Sequence, residues 1–156
     1  MKRKPARMKS KSGPAEKIAT AFPIEVACAV IQEAGKILIA RRRPEDHLGG
    51  FWEFPGGKRI ACESLGACLE RELLEELGVR VKLGRLLKRI DYAYPKKRVS
   101  LYFYQCQLVN GRPAPRAAVE LRWVAPFELH GYPFPPADEA FLRDLPRIVR
   151  LGQIVP

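Results

Sequence analysis

Glu72, Glu75 and Glu76 stand within little more than one helical turn of each other in the run Glu70-Arg71-Glu72-Leu73-Leu74-Glu75-Glu76. On a helix advancing ~100° per residue they occupy one face. Like charges at this spacing destabilise a helix by roughly 0.2–0.5 kcal/mol per pair, so the pattern asks for a compensation. Oxygen-only anionic donors suit a hard divalent cation, Mg²⁺ first and Mn²⁺ as its substitute. An acidic helix face is most often just a solvated surface. The spacing of the whole stretch from Gly57 to Val79 argues otherwise: it reads G-x5-E-x7-R-E-U-x-E-E-x-G-U, with U aliphatic, at Gly57, Glu63, Arg71, Glu72, Leu73, Glu75, Glu76, Gly78 and Val79. Seven fixed identities at roughly one in fifteen each would coincide by chance on the order of once in 10⁸ placements.

These side chains need a helix to carry them and a sheet to carry the helix. Ser64 is a suitable N-cap and Gly78 a suitable left-handed stop, which predicts a helix running to about Leu77. Gly66, Leu69, Leu73 and Leu77 form its apolar stripe. Upstream, residues 24–31 are nearly continuously apolar, as in a strand covered on both faces, and Glu33 to Lys36 turn the chain into a hairpin partner, residues 37–40. A polar loop from Pro44 to Gly50 delivers the aromatic strand Phe51-Trp52-Glu53-Phe54 into Pro55-Gly56-Gly57. Further strands are predicted from Val79 through Gly84 towards Tyr92, over residues 99–106 and over residues 121–124, with a turn at Pro95 to Lys97. Pro135-Pro136 opens a second helix bearing Ala140, Phe141, Leu145 and Ile148, which Pro146 should kink or shorten. Strands with a helix on either side of a mixed sheet make an α/β/α sandwich, class α/β.

The 156 residues suggest one folded domain, residues 23–156, after a basic segment, residues 1–22, expected to be disordered. That segment holds seven bases against Glu16, which is +6 of the formal +11. A solvated arm is the ordinary account of it, and a weak, salt-sensitive polyanion contact the functional one. Cys28, Cys62, Cys68 and Cys106 show no CxxC spacing and read as buried thiols in a reducing compartment. No apolar run approaches a membrane span, and the expected address is cytoplasmic.

The spaced stretch resembles the signature of the Nudix hydrolases, matched at every specified position. Three further segments are similar to the MutT type: Ala40-Arg41-Arg42, the run Phe51 to Lys58, and Phe134-Pro135-Pro136-Ala137-Asp138-Glu139. The resemblance covers about residues 24–145. It implies the Nudix fold and a Mg²⁺-dependent pyrophosphohydrolase that cleaves an oxidised nucleoside triphosphate, 8-oxo-dGTP, in nucleotide-pool sanitisation serving DNA replication and repair. It implies that the Gly56 carbonyl and Glu76 hold the metal, with Glu72 and Glu75 completing the acidic site, and that Arg71 fixes a neighbouring carboxylate. Glu63 would steady the loop and Arg71, and Gly57 and Gly78 would be structural. Arg42 would reach the nucleotide, His47, Glu53, Phe54, Pro55 and Gly56 would line its nucleoside side, and Lys97 stands where MutT enzymes carry an arginine. Glu72 is the expected general base and Glu75 its nearest competitor; spacing does not separate them.

Two positions depart from the MutT pattern. Alanines, Ala117 and Ala118, stand where many relatives place another acidic ligand, and Glu120 is the candidate replacement. Asp138 stands where the 8-oxo-dGTP enzymes have asparagine. Ionised aspartate only accepts, so it can take the N7–H of 8-oxoguanine or the amine of a cytosine but faces O6 unfavourably, unless it keeps a proton in an apolar pocket. A helix N-cap or first-turn acid is its structural role. CTP or 5-substituted dCTP hydrolysis is therefore the alternative with the same chemistry. A noncatalytic base-recognition module, like the MutT-like domain of the adenine glycosylase MutY, is the alternative of another class, and the complete acidic box argues against it.

Overall fold

A computed structural model describes residues 22–150. The basic segment lies outside these residues but for Phe22. Seven strands and two α-helices follow one another: β1 (Ile24–Glu33), β2 (Lys36–Arg41), β3 (Trp52–Glu53), β4 (Gly56–Lys58), α1 (Leu65–Leu77), β5 (Arg80–Tyr94), β6 (Lys97–Asn110), β7 (Glu120–Val124), a 3₁₀ helix (Pro126–Gly131) and α2 (Pro136–Arg150).

β1 is the axis of the sheet. It runs parallel to β6 from Ile24 opposite Val99 to Ile31 opposite Cys106, and antiparallel to β4 from Val26 opposite Lys58 to Cys28 opposite Gly56. Its pairing with β2 is confined to the turn end, Gln32 with Ile37 and Glu33 with Lys36. The expected hairpin therefore opens almost at once, and β2 turns to β3 and β7 for partners. Both parallel and antiparallel ladders are present, so the sheet is mixed.

The continuous apolar run of β1 is explained by burial on both faces. Cys28 and Val30 join one core layer, with Phe103 and the α2 residues Phe141, Leu142, Leu145 and Ile148. Ala27, Ala29 and Ile31 join the other, with Cys68, Leu69, Leu73 and Leu77 of α1. Phe141 sits between Phe54 (5.3 Å between centroids, edge-on) and Phe103 (4.1 Å, stacked). One helix on each face gives the α/β/α sandwich.

Two expectations need correction. α2 runs through Pro146 to Arg150, so the proline does not shorten it. The ring removes one backbone hydrogen bond, but Leu142, Leu145 and Ile148 on either side of it are buried, and their packing outweighs the break. Cys62 is exposed, while Cys28, Cys68 and Cys106 are buried. It lies in the loop before α1 in a left-handed conformation, φ 67°, and belongs to neither core layer.

Candidate active site

α1 begins where the Ser64 side chain accepts the Ala67 N–H at 3.1 Å. It ends at Gly78, φ 70°, whose N–H returns to the Leu74 carbonyl at 3.0 Å. A feature with no signal in the motif secures this end. Arg116, in the loop between β6 and β7, donates its N–H to the Glu76 carbonyl at 3.0 Å and lays its guanidinium across Gly78, where a Cβ would lie 2.5 Å from Nη2. The last turn bears Glu75 and Glu76, so this loop fixes the acidic face from behind.

In the middle of the helix, Arg71 is the hub. Its Nε and Nη2 grip both oxygens of Glu63 at 3.1 and 2.7 Å, and Nη1 donates to Glu72 Oε1 at 2.7 Å. A fourth contact, Nη2 to the Lys58 carbonyl at 3.3 Å, ties helix to β4. Glu63 also accepts the Ile60 N–H at 2.9 Å, and the Arg71 fork with this bond holds its carboxyl down at about 2. Glu72 is pressed against Gly57: a Cβ at Gly57 would stand 2.2 Å from the carboxyl carbon of Glu72.

The glycine turn places the third wall. Gly56 has φ 152°, and a Cβ there would lie 1.9 Å from the Ala27 carbonyl oxygen. The preceding Pro55 carbonyl accepts the Ala29 N–H at 2.7 Å. Pro55 thus anchors the turn to β1 and does not line the cavity.

These walls enclose a cavity of about 390 Å³. One side is acidic: Glu53, Glu72, Glu76 and Asp138. The cavity also holds the bases Arg42, Lys58 and Lys97, with His47 close to them. Apolar walls come from Ile24, Val26, Cys28, Phe54 and Leu101, with Tyr94. Burial, then Glu53 and Glu72, pushes the Glu76 carboxyl up to about 8. Burial and Glu53 raise Asp138, 8% exposed, to about 8 as well. Burial also raises Glu53, though Arg42 opposes it through an ion pair. Among these groups, burial followed by Lys58 and Arg42 lowers the Lys97 ammonium, and Lys97 lowers the His47 imidazole. The bases repel one another and the acids repel one another, so the cavity is suited to take up both an anion and a cation.

Of the residues singled out by sequence, Arg42, His47, Glu53, Phe54, Gly56, Gly57, Glu72, Glu76, Lys97 and Asp138 line this cavity. Arg42 is committed within it: Nε donates to the His47 carbonyl at 2.7 Å and Nη1 pairs with Glu53. Glu75 lies outside, its side chain 61% exposed and 3.6 Å from Arg71 Nη1. Glu120 does not line the cavity either; it pairs with Arg122 at 2.5 Å and with Arg41 at 3.9 Å. Lys58 and Tyr94 were missed. Each had a local signal: Lys58 directly follows the glycine turn, and Tyr94 precedes the Pro95 turn.

Among the described residues no three His, Cys, Asp or Glu side chains converge as a ready metal cage. The donor chemistry nevertheless fits a hard cation. Glu76 is partly buried beside Glu72, no ion pair of its own relieves it among the described residues, and the Gly56 backbone is in contact with it.

A family profile described as NUDIX domain matches residues 26–144. The 8-oxo-dGTP diphosphatase of Haemophilus influenzae is 35% identical over 123 residues, spanning 78% of this chain and 90% of its own. The CTP pyrophosphohydrolase of Escherichia coli is also 35% identical over 123 residues, spanning 76% and 91%. Among solved structures, that of the E. coli ORF135 protein in solution superimposes with a TM-score of 0.74 at 30% identity, covering 92% of this chain and 100% of its own. The chain belongs to the Nudix family of hydrolases. It is an enzyme, of a family that generally works with a divalent metal ion.

Proposed function

We propose that the chain is a Mg²⁺-dependent pyrophosphohydrolase, with Mn²⁺ as an alternative ion, that converts 8-oxo-dGTP to its monophosphate and pyrophosphate. The observation that carries the choice of base is the buried Asp138 carboxyl, raised to about 8 at the end of the cavity where α2 begins. A protonated carboxyl donates through O–H and accepts through C=O, as an asparagine amide does. It can therefore give its proton to O6 of 8-oxoguanine and accept the N7–H, which removes the objection raised by the missing asparagine. The name of the H. influenzae relative supports the same substrate.

The chemistry divides along the cavity. A divalent cation held by Glu76 and the Gly56 carbonyl, with Glu72 beside it completing the acidic site, would offset charge on the phosphate oxygens and position water. Glu72, oriented by Arg71, takes the proton of the attacking water; Glu75 is too far out of the cavity to compete in this arrangement. Lys58 and Lys97 face the phosphates. Arg42 acts through Glu53 and the His47 carbonyl, holding the loop that closes the nucleoside end. We place the enzyme in the cytoplasm; among the described residues no helix is long and apolar enough to cross a membrane. The seven bases of residues 1–22 suit a polyanion contact separate from turnover.

Asp138 is protonated below about pH 8 and ionised above it. With Mg²⁺ saturating, kcat/KM for 8-oxo-dGTP should fall as pH rises through that value, by about ten-fold or more, since the ionised carboxylate no longer donates to O6. Asp138→Asn should remove this alkaline limb and keep the activity. An unchanged limb in the variant would show that Asp138 does not read the base. The CTP reading rests on the E. coli relative. It predicts the opposite ranking, with Asp138→Asn losing kcat/KM on CTP.

A further inference from the structure

The substrate cavity opens beside the first turn of α2. At the other end of that helix, roughly 16 Å away at 1.5 Å per residue, lies a second and apolar groove of about 430 Å³. Pro126, Phe127 and His130 of the 3₁₀ helix form one wall; Leu145, Pro146 and Val149 of α2 form the other, with Arg150 at its end. Phe127 stands at the lip and is 80% exposed. A single exposed phenylalanine is unremarkable in itself. Its neighbours are what give it meaning.

Arg143, Arg147 and Arg150 are all exposed. At ~100° per residue they fall within about 60° of arc, on the side of the helix that flanks Pro146. Among the described residues none of the three has an ion pair or hydrogen-bond partner. Of the acids nearby, Asp144 pairs with Lys88 at 2.8 Å, while Glu128, which accepts the Ala125 N–H at 3.3 Å, and Glu139, one turn before Arg143, pair with none of the three. A row of guanidinium groups that form no ion pair among the described residues runs beside an apolar slot with an open aromatic ring.

We propose that this face docks single-stranded nucleic acid, independently of the triphosphate cavity. Guanidinium groups match phosphate oxygens in geometry and charge. An exposed ring beside an apolar slot offers an unpaired base a stacking platform, the combination that single-strand binders use. A duplex keeps its base faces stacked and could use the arginines alone. An acidic peptide could also meet the arginines, but nothing in its charge calls for the aromatic ring. The formal charge of +11 attracts any polyanion without selecting one; the selection comes from Phe127.

The test uses the full chain and a fluorescent oligothymidylate of about 15 nucleotides without a 5′-triphosphate, followed by anisotropy from 50 to 200 mM salt. Phe127→Ala should weaken binding about ten-fold without changing the salt slope. The triple change Arg143→Gln, Arg147→Gln and Arg150→Gln should reduce that slope by about 2, at ~0.7 per phosphate contact on a single strand. Both variants should hydrolyse triphosphates at the wild-type rate, which shows that they fold, and a duplex of equal length should bind without dependence on Phe127. Wild-type oligothymidylate binding in both variants would overturn the proposal and leave the basic segment 1–22 as the contact. Loss in the arginine variant alone would overturn it too, as would a polyglutamate peptide bound with the same Phe127 dependence.

Discussion

Glu72→Gln should lower kcat by about 10²–10⁴-fold, the usual cost of losing a general base, with little change in the Mg²⁺ dependence. The amide keeps an oxygen for Arg71 Nη1, now 2.7 Å from Glu72 Oε1, so the helix and its neighbours should stay in place. Glu76→Gln should behave differently. Its carboxyl is raised to about 8 by partial burial and by the carboxylates around it, and a divalent ion is what would favour its charged form. The variant should need a much higher Mg²⁺ concentration for half-maximal rate. It should also lose less kcat once saturated. Steady-state kinetics over a Mg²⁺ titration separates the two effects. Wild-type rates in both variants would mean that this carboxylate face is not the catalytic one.

Adjacent glycines should fail in different ways. At Gly56 a Cβ would meet the Ala27 carbonyl at 1.9 Å and the backbone is at φ 152°, so both obstacles are main chain. Gly56→Ala should cost the fold about 3 kcal/mol or more, because β4 must leave β1 to make room. At Gly57 the obstacle is the Glu72 carboxylate, at 2.2 Å. A side-chain end can move, so Gly57→Ala should melt close to wild type yet lose most of its kcat as Glu72 is displaced from Arg71. Thermal melts paired with turnover measure both. Equal loss of stability in the two variants would contradict the assignment of Gly57 to the catalytic carboxylate.

What could be read from the sequence follows how local its causes are. The box helix was legible to the residue because Ser64, Gly78 and the leucine stripe determine it from within. The α/β/α layering was legible because residues 24–31 of β1 are apolar on both faces. Strand pairing was less so. Nothing near the β1–β2 turn announces that β1 prefers β6, some seventy residues away, to its own hairpin partner. The same limit applies within the site. The motif gives the spacing of Glu72, Glu75 and Glu76, but only the packed structure separates a Glu76 that lines the cavity from a Glu75 turned to solvent. The protonation state of Asp138 depends on burial and on Glu53, which are tertiary facts. Arg116 belongs to no motif, and its hold on the Glu76 carbonyl comes only with the loop that carries it.

We infer that this cavity hydrolyses 8-oxo-dGTP at its carboxylate face. The most direct measurement is a panel of 8-oxo-dGTP, dGTP, CTP and 5-substituted dCTP with Mg²⁺, scored by kcat/KM and by product identity. The expected products are the monophosphate and pyrophosphate, with 8-oxo-dGTP preferred over dGTP by at least about ten-fold, the discrimination available to a donor–acceptor pair on O6 and N7–H. A preference for CTP, or phosphate released in place of pyrophosphate, would contradict the inference.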